Sequence, residues 1–68
     1  MPLKIKKLRS ALAKAGFTER SGKGSHTFWT HPKLPAETVT ISGKDGDDAK
    51  PYQIKDVRDV LKLLGESL

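Results

Sequence analysis

An α+β fold with element order α-β-β-β-α is expected from three features of these 68 residues. Apolar residues recur at helical spacing near both ends, strand-like alternation lies between them, and glycine or proline marks each change of period. The length suits one domain over residues 1–68 and excludes a multidomain enzyme. With no cysteine there are neither disulfides nor a thiolate metal cage, so a chain of this size must rely on a compact apolar core. Apolar residues make up 35% of the chain but are grouped into periodic segments, which argues for folding rather than disorder.

The first element is read as a helix over residues 3–15. Pro2 suits a first helical turn, Ile5, Leu8, Leu12 and Ala15 form an apolar stripe, and Gly16 supplies a left-handed cap. Phe17-Thr18-Glu19-Arg20 alternates as a short strand, and Ser21-Gly22-Lys23-Gly24 reads as a hairpin turn. The second strand is His26-Thr27-Phe28-Trp29-Thr30-His31, ended by Pro32. Lys33-Leu34-Pro35-Ala36 is expected to be loop. Glu37-Thr38-Val39-Thr40-Ile41-Ser42 follows as a third strand with Val39 and Ile41 facing inward. After a polar turn and Pro51, the residues Ile54, Val57, Leu61 and Leu64 mark a second amphipathic helix stopped by Gly65. The simplest packing is a three-stranded antiparallel sheet with both helices on one face, which is the order and length of the double-stranded-RNA-binding fold.

Charge is distributed unevenly. Residues 1–33 carry Lys4, Lys6, Lys7, Arg9, Lys14, Arg20, Lys23 and Lys33 against Glu19 alone, a net +7, whereas residues 34–68 carry a net −2. A cationic block of this kind is the electrostatic footprint of a phosphate-backbone partner, nucleic acid first and an anionic membrane surface after it. The lysines at the start of the first helix oppose its dipole and make better sense facing a phosphate than as local stabilisers. No apolar run exceeds three residues, so neither a membrane span nor a secretory signal core is present in the sequence, and a cytoplasmic location is expected.

The chemistry concentrates in Gly22-Lys23-Gly24-Ser25-His26, where two glycines, a cation, a hydroxyl and an imidazole meet at the head of a strand. The glycines let backbone N–H groups approach an anion, but the Gly-Lys pair lacks the following helix and spacing of a nucleotide-binding loop. His26 is the candidate for proton transfer, because imidazole exchanges protons near neutrality. Strand alternation places His26, Phe28 and Thr30 on one face and Thr27, Trp29 and His31 on the other, which argues against a two-histidine pair. Ser25 as an acyl-transfer nucleophile is disfavoured for the same reason. RNA supplies its own nucleophile in the 2′-hydroxyl, so one acid/base group and a few cations suffice for cleavage. Then Lys23, Arg20 and backbone N–H groups would stabilise the phosphorane-like transition state. Two histidines without cysteine make a poor zinc set, and Asp45-Gly46-Asp47-Asp48 lacks calcium-loop spacing and reads as a solvated turn. No metal or small-molecule cofactor is expected. Of Phe28 and Trp29, at least one is expected in the core, and either offers a stacking surface for an unpaired base.

The basic helix ending in Ala15-Gly16-Phe17, then Arg20, Gly22-Lys23-Gly24-Ser25-His26, His31-Pro32 and Val39-Thr40-Ile41 together resemble the HicA family of bacterial toxin–antitoxin toxins. The resemblance spans nearly the whole chain. It implies a double-stranded-RNA-binding fold, metal-independent cleavage of mRNA with His26 as the catalytic histidine, and neutralisation by a cognate HicB antitoxin that covers the active site. Where many relatives carry a His- or Asn-rich segment after the third strand, this chain has the acidic run 45–48, which would repel nearby RNA phosphates.

On this reading His26 is the general acid/base. Ser25, Gly22 and Gly24 shape the site, Lys23 and Arg20 engage phosphate, and Lys4, Lys6 and Lys7 extend the RNA-binding surface, which the antitoxin is expected to share. The rival readings are a non-catalytic RNA-binding module and an adaptor for an acidic, apolar protein surface. Replacement of His26 separates catalysis from binding, and salt dependence separates RNA from protein ligands.

Overall fold

The computed structural model describes residues 3–68. Its elements are α1 (Ile5–Lys14), β1 (Thr18–Ser21), β2 (Thr27–His31), β3 (Leu34–Ile41) and α2 (Pro51–Leu63), the expected α-β-β-β-α order. The strands form one antiparallel sheet in the order β1-β2-β3. This is the double-stranded-RNA-binding-like architecture, with the two helices on one face of the sheet.

Helix α1 is shorter than its apolar stripe suggests. Leu3 and Lys4 are extended, because the Leu3 carbonyl accepts from Ala49 N–H at 2.7 Å and Lys4 pairs with Asp48 in an isolated antiparallel bridge. The helix therefore starts at Ile5, and Pro2, expected in its first turn, lies outside the described residues. Its stripe is buried at Ile5, Leu8 and Leu12. At the other end Gly16 N–H donates to Ala13 O at 3.1 Å and Phe17 N–H to Leu12 O at 3.0 Å, a Schellman closure. It needs the positive φ of +98° that Gly16 adopts. Phe17 is thereby drawn into the core and out of the strand, so β1 begins one residue later than expected.

Strand β3 starts at Leu34, where the sequence suggested loop. His31 pairs with Leu34 across a two-residue turn, and an irregularity between Trp29 and His31 absorbs the change of register. Pro35 argued against a strand, but β3 is an edge strand, where an absent N–H is tolerated.

The inward face of the sheet supplies Trp29, Val39 and Ile41, which pack with Ile5, Leu8, Leu12 and Phe17. Trp29 Nε1–H donates to Thr27 Oγ1 at 3.0 Å, and that hydroxyl donates onward to Ile41 O at 3.2 Å, so the buried indole is satisfied. Helix α2 contributes Val57, Val60 and Leu61 together with one buried polar side chain, Gln53; Ile54 and Leu64, expected in the stripe, sit half-buried at its margin. Phe28, one residue from Trp29, lies on the opposite face and stays partly exposed. No helix among the described residues is long and apolar enough to cross a membrane.

Candidate active site

The loop between β1 and β2 is closed by two backbone bonds. Gly22 N–H donates to His26 O at 2.9 Å, and His26 N–H donates to Lys23 O at 3.1 Å. The backbone of His26 is thus fixed from both sides while the residue remains exposed. Gly22 has a packing reason: a Cβ there would stand 2.7 Å from Phe28 Cε2 and 3.2 Å from His26 O. Ser25 fastens the loop to the end of β3, its Oγ accepting from Gly43 N–H at 3.3 Å.

Two open clefts meet at Ser25 and His26. One, of about 400 Å³, extends toward Arg9, Glu19, Lys44 and Asp45. The other, of about 450 Å³, extends toward the N-terminal end of α2, past Ser42, Asp47, Asp48, Lys50 and Gln53. His26 is therefore shared by a mixed-charge cleft and one framed by the acidic loop. Arg9 spans the first cleft, with Nη2 at 2.7 Å from Glu19 Oε2 and Nη1 at 3.4 Å from Asp45 Oδ1.

The family model for the HicA toxin of bacterial toxin–antitoxin matches residues 5–65. The chain belongs to the HicA toxin family. No curated protein and no solved structure matches it.

Within this HicA-family chain the expected site residues divide. Ser25, Gly24 and His26 come together at the first cleft. Lys23 stands in the same loop through its carbonyl bond to His26. Arg20 pairs in register with Phe28, so it lies on the open face of the sheet rather than in either cleft. Lys6 and Lys7 are exposed on the first turn of α1, and neither lines these two clefts.

Two observations bear on the lysines at the start of α1. The start of α1 does not present free N–H groups to a phosphate, because Ile5 N–H donates to Asp47 O at 2.9 Å and Lys6 N–H to Asp45 O at 3.2 Å. Lys4 faces a carboxylate rather than a phosphate, its Nζ 2.5 Å from Asp48 Oδ1. The acidic run is therefore more than a solvated turn: its carbonyls cap α1 and its carboxylates neutralise Lys4 and Arg9. Asp47 also closes the loop on itself, with Oδ2 accepting from Lys44 N–H at 2.9 Å.

His31 has a separate, structural place. Its Nδ1 accepts from Lys33 N–H at 3.0 Å and its Nε2 lies 3.1 Å from Ala15 O, a pattern met by the neutral ring with the proton on Nε2. The ring also meets Phe17 edge-on, centroids 5.1 Å apart. Arg9, Glu19 and Gln53 were not singled out as site residues in the sequence. Gln53 carried a local signal, since glutamine three residues after a helix N-cap is half of a capping box, and its Oε1 accepts from Lys50 N–H at 2.9 Å. Among the described residues no three His, Cys, Asp or Glu side chains gather as a metal site.

Proposed function

We propose that this HicA-family toxin is an mRNA interferase, a metal-independent endoribonuclease in which His26 moves a proton during attack of the RNA 2′-hydroxyl on the adjacent phosphate. The observation that carries the reading is the position of His26: backbone-fixed, exposed, and shared by two open clefts of about 400 and 450 Å³. Attack by the 2′-hydroxyl is intramolecular, so the protein needs only to orient the chain, move protons and stabilise charge. Gly22 and Gly24 shape the loop, Ser25 anchors it, and Lys23 and Arg20, with Lys6 and Lys7 further along the surface, attract the RNA backbone. Lys4 contributes less, because Asp48 already neutralises it. The cognate HicB antitoxin is the inhibiting partner, covering His26 and meeting the same cationic surface.

The test is to incubate the wild-type chain and His26→Ala with a long single-stranded mRNA in excess EDTA and to determine the fragment ends. Fragments from the wild type alone, ending in 2′,3′-cyclic or 3′-phosphate, are the expected result. Equal cleavage by both proteins removes His26 from the reaction. Salt-sensitive binding without cleavage by either replaces the nuclease with a non-catalytic RNA-binding module.

A further inference from the structure

The first cleft holds a carboxylate and a guanidinium that the reading above leaves without a role. Glu19 Oε2 accepts from Arg9 Nη2 at 2.7 Å, and both side chains border the cleft with His26. Glu19 pairs in register with Trp29, and Ser21 with Thr27, so β2 sets the spacing of Glu19 from His26 just ahead of it. Three residue steps separate them along the sheet, about 10 Å between backbones at the usual strand rise. Glu19 and His26 line the same open cleft of about 400 Å³, which has room for a phosphate. A surface ion pair alone is worth only about 0–1 kcal/mol, so stability gives little reason for this one.

We propose that Glu19 is the general base and His26 the general acid of RNA cleavage, an assignment that rests on the ribonuclease reading. The guanidinium holds the carboxylate as a fixed acceptor, and an imidazole can both accept and donate a proton. Glu19 removes the proton from the 2′-hydroxyl as the 2′-oxygen forms its bond to phosphorus. The bond from phosphorus to the 5′-oxygen breaks, and protonated His26 delivers its proton to that oxygen. The products are a 2′,3′-cyclic phosphate and a 5′-hydroxyl, with no other reactant consumed. Arg9 is a positioning residue that fixes the carboxylate. Lys44, which has no carboxylate partner among the described residues, borders the same cleft and faces the charge gathering on the phosphate. The charged groups around Glu19 are then Arg9 from α1, Lys44 and Asp45 from the loop after β3, and His26 from the loop before β2.

The two roles are separable with two substrates. In mRNA the leaving 5′-oxygen needs a proton, whereas in uridine 3′-(4-nitrophenyl phosphate) the leaving phenolate does not. On mRNA, both Glu19→Gln and His26→Ala are expected to lose on the order of 100-fold or more in kcat with KM little changed, the usual worth of a positioned acid or base. On the aryl ester only Glu19→Gln stays impaired. Far-UV circular dichroism checks folding, and Glu19→Asp, which keeps the carboxylate, recovers part of the rate. Full activity of Glu19→Gln on both substrates beside an inactive His26→Ala overturns the assignment while leaving the ribonuclease reading intact. Loss on the aryl ester in His26→Ala but not in Glu19→Gln also overturns it, making His26 the base. Loss in Asp45→Asn with Glu19→Gln active moves the base to Asp45 and overturns it too. A wild type that binds RNA and cleaves neither substrate defeats the ribonuclease reading itself, and the assignment with it.

Discussion

Gln53 Nε2 lies 3.0 Å from the carbonyl oxygen of Ser42 and 3.3 Å from its hydroxyl, tying the first turn of α2 to the chain just beyond β3. Ser42 precedes Gly43, whose N–H holds Ser25, and Ser25 precedes His26. The buried amide thus stands at the start of a short mechanical path from helix to the loop that carries His26.

Replacement of Gln53 by Met fills the same space but leaves Ser42 O and Lys50 N–H without their partners. Each partly buried group left unsatisfied costs about 1–3 kcal/mol, so a destabilisation in that range is expected from urea unfolding. If the amide also positions the loop, amide exchange at Gly43 and His26 accelerates in Gln53→Met more than in a Val57→Ala variant of equal global stability. Equal protection in the two variants would show that Gln53 stabilises the fold without ordering the site.

The two histidines are expected to divide the labour between chemistry and structure. His26→Ala removes an exposed side chain and is expected to change unfolding free energy by less than about 0.5 kcal/mol while lowering turnover of mRNA by about 100-fold or more. His31→Ala removes the partners of Lys33 N–H and Ala15 O and the edge contact with Phe17, for a loss of about 1–3 kcal/mol. Cleavage by the folded His31→Ala protein stays near wild type. Thermal melts beside an RNA cleavage assay check both halves, and a stable, inactive His31 variant would contradict this division.

Both helices were legible in the sequence because their signals are local: a stripe at spacings of three and four, and Gly16 and Gly65 placed to cap. The ends shaped by distant residues were not legible. Leu3 and Lys4 carry a helical pattern, yet the bridge to Asp48 holds them extended. Pro35 spells loop until the sheet order makes β3 an edge. In the site, the Gly-Ser-His corner was readable as a motif within one stretch of chain. The Arg9–Glu19 pair and the capping of α1 by Asp45 and Asp47 join segments that meet only after folding, so no spacing in the sequence announces them.

Gly22 and Phe28 are expected to be energetically coupled. A methyl group at position 22 would meet the Phe28 ring at 2.7 Å, so Gly22→Ala must displace that ring or the hairpin, at about 1–3 kcal/mol for overpacking. In a Phe28→Ala background the obstacle is gone and only the closer approach to His26 O at 3.2 Å remains. A double-mutant cycle by chemical denaturation should therefore show Gly22→Ala costing less in the Phe28→Ala protein, with an interaction energy above about 0.5 kcal/mol. Strict additivity would mean that the ring gives way freely, and Gly22 would then owe its place to the loop backbone alone.

The lysines of the cationic block should differ in how they set the salt dependence of RNA binding. Each phosphate neutralised by a free cation steepens the slope of log affinity against log salt by about 0.7 on a single strand, because a condensed counterion is released. Lys6, Lys7, Arg20 and Lys23 have no carboxylate partner among the described residues, whereas Lys4 is held by Asp48. Measured with the cleavage-deficient His26→Ala protein, Lys23→Ala and Arg20→Ala should each flatten the slope by about 0.7, and Lys4→Ala should leave it nearly unchanged. Asp48→Ala then becomes the complementary test: freeing Lys4 for a phosphate should steepen the slope, although the exposed pair itself contributes at most about 1 kcal/mol to folding. A slope that Lys4→Ala flattens as much as Lys23→Ala would show that RNA displaces Asp48, leaving the acidic loop no barrier to the α1 end of the surface.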